Sequence, residues 1–357
     1  MMKKRSNLVF SLILATLVSV GCDVAGKEDP HPLSFIPTPY PSALSGTAAS
    51  PIPTAAPALK LKVTVSTLAG GEVPGMQNGT GANARFNAPG SMAIDAAGNL
   101  FVLDSQNRAI RKISPAGMVS AFASNLSGDG ESGIGTDAAG NVYFVPGGSF
   151  RMSITRFSSN GESQSYQAFF GDGKDGTREA FDHAMGGISD PAGNVYVADS
   201  MNSFIDRISP NGQATRIAGG GLDGISSLSS PISIAIASDG TLFSANRGDD
   251  GMRILKIAGG QVSVLAEGVA QYPGTGGALA IDGVGNLYYA DTVGHRIQMI
   301  SPQGVVSTLA GMGTAGFGDG SGETAQFNQP CGLAVDNTGN VYVADSGNHR
   351  IRKISPN

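Results

Sequence analysis

Short runs of alternating or continuous apolar residues recur along the chain, each bounded by glycine, asparagine, aspartate or proline. Near the end of the sequence these runs cover residues 333–335, 341–344 and 351–354. Their length and the turn residues between them are typical of β-strands rather than helices. The pattern therefore predicts an all-β fold for residues 61–357.

The runs belong to a repeat of four predicted strands with a glycine-containing turn between the first and second strands. The turn glycines, 42 to 54 residues apart, are Gly98, Gly140, Gly193, Gly240, Gly285 and Gly339. Four short strands in each of six copies predict a six-bladed β-propeller. Copy 6 ends at Asn357 before a fourth strand, whereas residues 62–70 match the fourth-strand sequence of copy 5 at 305–311. We therefore expect the N-terminal strand to close the last blade, which leaves the ring without an open edge.

The residues of each copy resemble the NHL repeat family. In copy 6, residues 339–345 read Gly-Asn-Val-Tyr-Val-Ala-Asp and residues 348–351 read Asn-His-Arg-Ile. The resemblance covers nearly all of residues 61–357; it is strong in copies 1, 3, 5 and 6, and copies 2 and 4 lose motif residues. It implies a propeller fold. Related propellers include lyases that bind a metal through histidines and lactone hydrolases that place Asp, Glu and Asn around a divalent ion.

The N-terminus predicts export and anchoring. Three cationic residues at 3–5, an apolar run at 8–20 and a glycine before Cys22 have the order of a secretory signal, predicted to end at residue 21. The 13-residue run is shorter than the ~20 residues that a membrane-spanning helix needs. Residues 18–22 resemble a bacterial lipobox, which implies fatty acylation of Cys22 and a lipid anchor in the cell envelope, on its periplasmic or surface side. Residues 22–60, rich in proline, alanine and serine, are predicted to form an extended tether.

Composition narrows the partners and cofactors. The formal net charge is −5 and becomes more negative when the signal is removed, which disfavours nucleic acid, because phosphate binding needs Lys and Arg. With lipid on Cys22, Cys331 has no disulfide partner. The four histidines form no evident ligand cluster in the sequence, so we expect neither a metal nor another cofactor.

The repeated polar residues of the copies are predicted to be structural, since equivalents recur in several blades. Aspartate and asparagine of the turns satisfy local backbone groups. His295 and His349 occupy the same slot of adjacent copies and are expected to be structural rather than metal ligands.

Ligand binding is predicted on the face that carries the longer connections, those between strands two and three and those between blades. Copies 2 and 4 depart from the repeat there, and two inter-blade loops add a tyrosine and a histidine. The candidate ligand-binding residues are Phe150, Arg151, His183, Arg247, Asp249, Asp250 and Tyr272.

Two hypotheses about function remain open. The first is a membrane-tethered recognition scaffold that binds a protein, peptide or glycan outside the cytoplasm. The alternative is a metal-assisted lyase or lactone hydrolase, whose ligands would converge in the channel from separate blades. No catalytic residue can be assigned from the sequence.

Overall fold

The computed structural model of the chain describes residues 61–127, 132–148, 153–170, 181, 184–219, 228–248, 251–271 and 277–357. The predicted signal at 1–21 and tether at 22–60 lie outside these ranges. Within them, no helix is long and apolar enough to span a membrane. Nearly all of the described secondary structure is antiparallel β-sheet, arranged as six blades in a ring.

Each blade contains four strands, and blades 1 and 6 each gain a short fifth strand at the outer edge. The strands that close blade 6 and build blades 1 and 2 are β1 (Val63–Gly70), β2 (Gly79–Thr80), β3 (Pro89–Ile94), β4 (Leu100–Asp104), β5 (Ala109–Ile113), β6 (Met118–Ala123), β7 (Gly133–Thr136), β8 (Val142–Val145), β9 (Ser153–Phe157) and β10 (Ser163–Gln167). Blades 3 and 4 contain β11 (Ala184–Ser189), β12 (Val195–Asp199), β13 (Phe204–Ile208), β14 (Ala214–Gly219), β15 (Pro231–Ile236), β16 (Leu242–Gly248), β17 (Gly251–Ala258) and β18 (Gln261–Ala266). Blades 5 and 6 contain β19 (Leu279–Ile281), β20 (Leu287–Asp291), β21 (Arg296–Ile300), β22 (Val306–Ala310), β23 (Gly320–Ser321), β24 (Pro330–Val335), β25 (Val341–Asp345) and β26 (Arg350–Pro356). Within the described ranges, three short 3-10 helices cover Gly81–Asn83, Ser105–Asn107 and Ser346–Asn348.

The N-terminal strand closes the ring, as predicted. β1 pairs with β26 from Val63 opposite Pro356 to Gly70 opposite Arg350, with one irregularity between Thr67 and Ala69. Of its four main strands, blade 6 therefore takes one from the N-terminal end of the propeller and three from the C-terminal end. This backbone pairing removes the open edge that a three-stranded blade would leave.

The hydrophobic core lies between neighbouring blades. One cluster joins Val65 and Leu333 of blade 6 with Tyr288 of blade 5. Another joins Val102 of blade 1 with Ala344 of blade 6. Because the inner strands of a blade are covered on both faces, they read as continuous apolar runs rather than as an alternation of apolar and polar residues.

The turns between first and second strands lie together on what we call the short-turn face. In blade 6, one carboxylate oxygen of Asp336 accepts the backbone N–H groups of Thr338 and Asn340, both at 2.9 Å. Its other oxygen accepts the side chains of Asn340 at 2.8 Å and Tyr342 at 3.0 Å. Partial burial raises the pKa of Asp336, but the hydrogen bonds from Asn340 and Thr338 lower it to about 2. Asp95, Asp137, Asp190 and Asp282 cap their own turns in the same way, so the predicted structural role is confirmed.

Candidate functional site

A cavity of about 290 Å³ lies on the axis of the ring, between the first strands of the six blades. The described residues of its wall are apolar or small and uncharged, and they include no Asp, Glu, His, Lys or Arg. The side chains next to the short turns are Ile94, Thr136, Ser189, Ile236, Ile281 and Val335. The cavity therefore occupies the half of the channel that faces the short turns, away from the face with the longer connections.

Hydroxyl groups along this wall hold neighbouring blades together. Ser91 Oγ accepts the N–H of Ile134 at 3.1 Å, which joins blade 1 to blade 2. Thr136 donates to the carbonyl of Ile94 at 2.8 Å across the same contact. Ser233 Oγ accepts the N–H of Leu279 at 2.9 Å between blades 4 and 5. These polar groups are engaged in the scaffold, as buried polar groups usually are.

Glycines allow the first strands of neighbouring blades to approach one another closely. A Cβ atom on Gly332 would lie 2.0 Å from the carbonyl oxygen of Gly90 in the neighbouring blade. A Cβ atom on Gly133 would lie 2.0 Å from the backbone nitrogen of Gly187. Glycine at these positions lets the inner strands pack backbone to backbone, because a side chain there would collide with the neighbouring strand.

Acid–base and metal-binding groups do not converge in the described part of the molecule. No group of three or more His, Cys, Asp or Glu side chains within the described ranges could hold a metal ion. The enzyme hypothesis predicts carboxylates or histidines in the channel, and the described channel wall has neither. The described channel can therefore accommodate an uncharged group, and its described wall supplies no carboxylate, imidazole, ammonium or guanidinium group.

One predicted ligand-binding residue lies within the described ranges. Arg247 is partly buried in strand β16, where it pairs with Met252, so it belongs to a strand rather than to an open loop. Burial raises the pKa of Tyr289, and the positive charge of Arg247 opposes that rise. The guanidinium group of Arg247 therefore interacts electrostatically with this buried phenol. The other candidates, Cys22, Phe150, Arg151, His183, Asp249, Asp250 and Tyr272, lie outside the described residues.

The face opposite the short turns, which we call the long-loop face, is held by buried ion pairs. In blade 6, the fully buried Asp345 accepts the N–H of Asn328 at 2.7 Å, the amide of Asn348 at 2.9 Å and Arg352 Nη1 at 2.7 Å. Burial raises the pKa of Asp345, and these three donors oppose the rise. The other guanidinium nitrogen of Arg352 donates to Asp319 at 2.6 Å. One buried ion pair thus ties the inter-blade loop at 311–329 to the blade.

Blade 1 repeats this arrangement. Asp104 accepts the N–H of Asn87 at 2.7 Å, the amide of Asn107 at 2.8 Å and Arg111 Nη1 at 3.0 Å. Arg111 Nη2 donates to Asn78 Oδ1 at 2.7 Å. The loop at 71–88 is therefore fixed in the same way as the loop at 311–329.

Exposed apolar side chains stand on these two loops and on the neighbouring connection of blade 5. The guanidinium carbon of Arg350 lies over the ring of Phe317, 3.9 Å from the centre of that ring. Asn348 donates to the carbonyl of Gly316 at 2.8 Å, which fixes the backbone beside Phe317. We call the following set the apolar sector, whose side chains are 39% to 63% exposed: Val73, Met76, Val293, Met312 and Phe317.

Sequence reasoning did not single out the apolar sector. Its signal is a large apolar residue inside a glycine-rich loop, at aligned positions of two copies: Met76 follows Gly75, and Phe317 follows Gly316. The carbonyl of Gly75 accepts the amide of Asn107 at 2.8 Å, as Gly316 accepts Asn348. Scattered surface apolar residues are ordinary, but several of them on the fixed loops of one face favour a binding surface.

A model of the NHL repeat matches residues 327–354. The last blade is an NHL repeat. Together with propeller neighbours among solved structures, this match makes the chain an NHL-repeat β-propeller. The propeller is 40% identical over 325 residues to NHL repeat-containing protein 2 of Bos taurus, covering 80% of this chain and 41% of that protein. It spans less than half the length of the curated relatives that it matches first.

Two solved propellers illustrate the range of proteins with this fold. An auxiliary nutrient binding protein from Bacteroides ovatus has a TM-score of 0.61 and 18% identity, over 83% of this chain and 77% of that chain. A gluconolactonase from Xanthomonas campestris has a TM-score of 0.57 and 13% identity, over 83% of this chain and 90% of that one. Similarity at this level shows the fold alone, because one fold carries many functions.

Proposed function

We propose that this NHL-repeat propeller is a recognition scaffold that binds a protein or peptide partner through the apolar sector. The observation that carries the proposal is the pairing of exposed apolar side chains with loops that buried ion pairs hold fixed. Preorganised loops lose little conformational entropy on binding, so more of the contact energy appears as affinity. Aromatic and methionine side chains are enriched at such interfaces, and Arg350 beside Phe317 adds a guanidinium donor.

A peptide or protein fits this surface better than a glycan does. Among the described residues, Phe317 is the one aromatic side chain in the exposed class, and the rest of the apolar sector is valine and methionine. Flexible, polarizable methionines adapt to apolar side chains of a partner. Sugar rings, by contrast, present hydroxyl groups that need polar partners, which an apolar surface does not supply.

The side chains of the described channel wall also favour binding over catalysis. Both binding proteins and lactone hydrolases occur among the solved propellers, so the fold does not choose between them. The described wall of the channel offers no ionisable side chain for proton transfer or metal binding. An enzyme of the predicted alternative class would need such groups near its substrate.

The scaffold is proposed to stand on a lipid anchor in a bacterial envelope. The support is the lipobox-like segment ending at Cys22, followed by a proline-rich stretch up to residue 60. An acylated cysteine would anchor the chain without a spanning helix, because each buried methylene contributes ~0.8 kcal/mol. The tether would then let the long-loop face meet partners away from the membrane surface.

The apolar sector can be tested with a displayed random-peptide library. Peptides are selected on the full chain, and their dissociation constants are measured for the parent and for Phe317→Glu. We expect affinity to fall at least about thirtyfold, since loss of an interface hot spot costs ~2 kcal/mol or more.

Val284→Glu is the matched control, because Val284 is an apolar side chain 77% exposed at a short turn of blade 5. The control should retain parental affinity. Peptides that bind Phe317→Glu as tightly as the parent would place recognition elsewhere and overturn this site.

The anchor is tested by metabolic labelling with a clickable fatty acid. We expect label and membrane partitioning in the parent and loss of both in Cys22→Ala. Cys331→Ala is the control, since Cys331 is buried within the propeller. Label retained by Cys22→Ala, or missing from the parent, would rule out lipid at this position.

A further inference from the structure

Blade 6 meets both of its neighbours through a histidine that accepts a backbone hydrogen bond. His349 Nδ1 accepts the N–H of Ala88 at 3.1 Å, between blades 6 and 1. His295 Nδ1 accepts the N–H of Gln329 at 3.1 Å, between blades 5 and 6. Both histidines have left-handed backbone conformations, with φ of 55° and 52°. The two contacts, which we call histidine clasps, are equivalent in position and geometry.

The same slot is filled at two other blade contacts by side chains other than histidine. Arg108 Nε donates to the carbonyl of Leu126 at 2.9 Å, between blades 1 and 2. Ser203 Oγ accepts the N–H of Ser230 at 3.5 Å, between blades 3 and 4. A clasp at this position is therefore a general feature of the ring, and histidine is confined to the two sides of blade 6 among these four.

A histidine clasp requires a neutral imidazole. Nδ1 must carry a lone pair to accept the backbone N–H, and protonation turns this nitrogen into a donor that faces another donor. Burial lowers the pKa of His349, and the charge of Arg350 lowers it further. Burial also lowers the pKa of His295, and the charge of Asp291 opposes that change.

Other charged groups near the clasps are already paired. Asp291 accepts Arg296 Nε at 2.9 Å, beside His295. Across the two contacts, the Asp104 and Asp345 carboxylates hold the N–H groups of Asn87 and Asn328, one residue before the clasped amides. Protonation of either histidine thus places a new positive charge where the nearby carboxylates are already engaged.

We infer that the histidine clasps form a proton-sensitive latch that fastens blade 6 to both neighbours at neutral pH and releases it on acidification. Blade 6 is also the blade that joins the two ends of the propeller, through β1 and β26. Ala88 and Gln329 are the last residues of the loops at 71–88 and 311–329, which carry most of the apolar sector. Release of the latch therefore removes one hydrogen bond at the end of each loop, next to the Asn87 and Asn328 N–H groups that the carboxylates hold.

The direction of the pH effect follows from the pKa shifts. The ordinary pKa of histidine is 6.5, and both histidines lie below it in the folded ring. As pH falls below 6.5, the open state takes up protons before the closed state does, so closure is favoured above this pH and loses stability below it.

Amide hydrogen exchange, resolved residue by residue on the full chain, tests the latch. Between pH 7 and pH 5, after correction for intrinsic exchange rates, we expect protection of the Ala88 and Gln329 amides to fall about fivefold, as for one net hydrogen bond. The Leu126 amide, which donates to the Arg108 carbonyl at 3.0 Å, is the internal control and should keep its protection.

The double variant His295→Asn with His349→Asn distinguishes an effect of histidine protonation from an effect of pH on the rest of the structure. Asparagine tolerates the left-handed backbone and can accept a hydrogen bond without titrating. We expect the variant to lose the difference between pH 7 and pH 5. The latch would be overturned if protection of these amides depended on pH equally in the variant and the parent. It would also be overturned if, in the parent alone, protection of the Ala88 and Gln329 amides changed with pH no more than that of Leu126.

Discussion

Blades 6 and 4 form the same four-stranded sheet by different means. Blade 6 takes its outer strand from the other end of the propeller and fixes the inter-blade loop through Asp345 and Arg352. Blade 4 is built from one continuous stretch, and Asn246 and Leu255 occupy the positions of that ion pair. Its second and third strands instead extend their ladder outward until Gly248 pairs with Gly251.

The comparison shows that the motif residues serve the connections more than the sheet. Blade 4 lacks the aspartate–arginine pair, yet its strands pair along their length and pack into the inter-blade core through Ala235 and Ile254. A blade needs backbone pairing and apolar contacts with its neighbours, whereas a long fixed loop additionally needs buried donors and acceptors. The loops that carry most of the apolar sector belong to the sector of the ring where those donors and acceptors are present.

The largest effect is expected when blade 6 loses its borrowed strand. Deletion of residues 61–70 removes Val63 and Val65, whose burial contributes about 3–6 kcal/mol together, and leaves β26 as an open edge. This is a large share of the ~5–15 kcal/mol that stabilises a typical domain. We expect aggregation or a large fall in the melting temperature by calorimetry.

Deletion of residues 45–54 is the length-matched control and should leave the melting temperature unchanged, because it shortens only the predicted tether. A protein without residues 61–70 that melts like the parent would show that blade 6 is stable with three strands and does not depend on ring closure.

A smaller effect is expected when Arg352 of the blade 6 ion pair is replaced by leucine, the residue that blade 4 has at the equivalent position. Arg352→Leu leaves the carboxylate of Asp345 buried without its cation, which costs about 3–5 kcal/mol in other buried pairs. Urea unfolding measures the change. Leu255→Met in blade 4 is the volume-conserving control, expected to cost less than about 1.5 kcal/mol.

Addition of Asp345→Asn to Arg352→Leu should recover part of the stability, because the double variant no longer buries an unpaired charge. If Arg352→Leu lowers the free energy of unfolding no more than Leu255→Met does, the ion pair does not stabilise blade 6. The proposed difference between blades 6 and 4 would then be wrong.

The smallest effect is expected at the short turn, where blade 4 has Ala237 in place of the capping aspartate. Asp336→Ala removes hydrogen bonds of a partly exposed turn and should cost about 1 kcal/mol at pH 7. The pKa of Asp336 is lowered from 3.8 to about 2, so its contribution is present above pH 3.8 and is lost as pH falls toward 2. Urea unfolding at pH 7 measures the loss of stability in Asp336→Ala, and unfolding at pH 2 measures how much of that loss remains as the carboxylate becomes protonated.

Asp239→Ala in blade 4 is the matched control. Asp239 accepts the N–H of Thr241 at 2.9 Å from a different position of its turn, and we expect a smaller loss than for Asp336→Ala. An Asp336 variant whose deficit persists undiminished at pH 2 would show that the loss comes from packing rather than from the carboxylate.

The sequence by itself determined the architecture of this propeller. Strand period, turn glycines and the match between residues 62–70 and 305–311 are local or repeated signals, so the sequence predicts six blades and their closure. The capping role of the turn aspartates was equally predictable, because an aspartate reaches N–H groups only two and four residues ahead. In each case the determining signal is short in sequence or repeated along the chain.

Tertiary structure alone decided where the surfaces and cavities lie. The axial cavity forms where the first strands of six different blades meet. Arg247 belongs to a strand because blade 4 extends its ladder. The bond from Ala88 to His349 joins residues 261 positions apart, and the apolar sector unites loops of three blades. Such contacts depend on how the ring brings distant segments together, which no local pattern of side chains encodes.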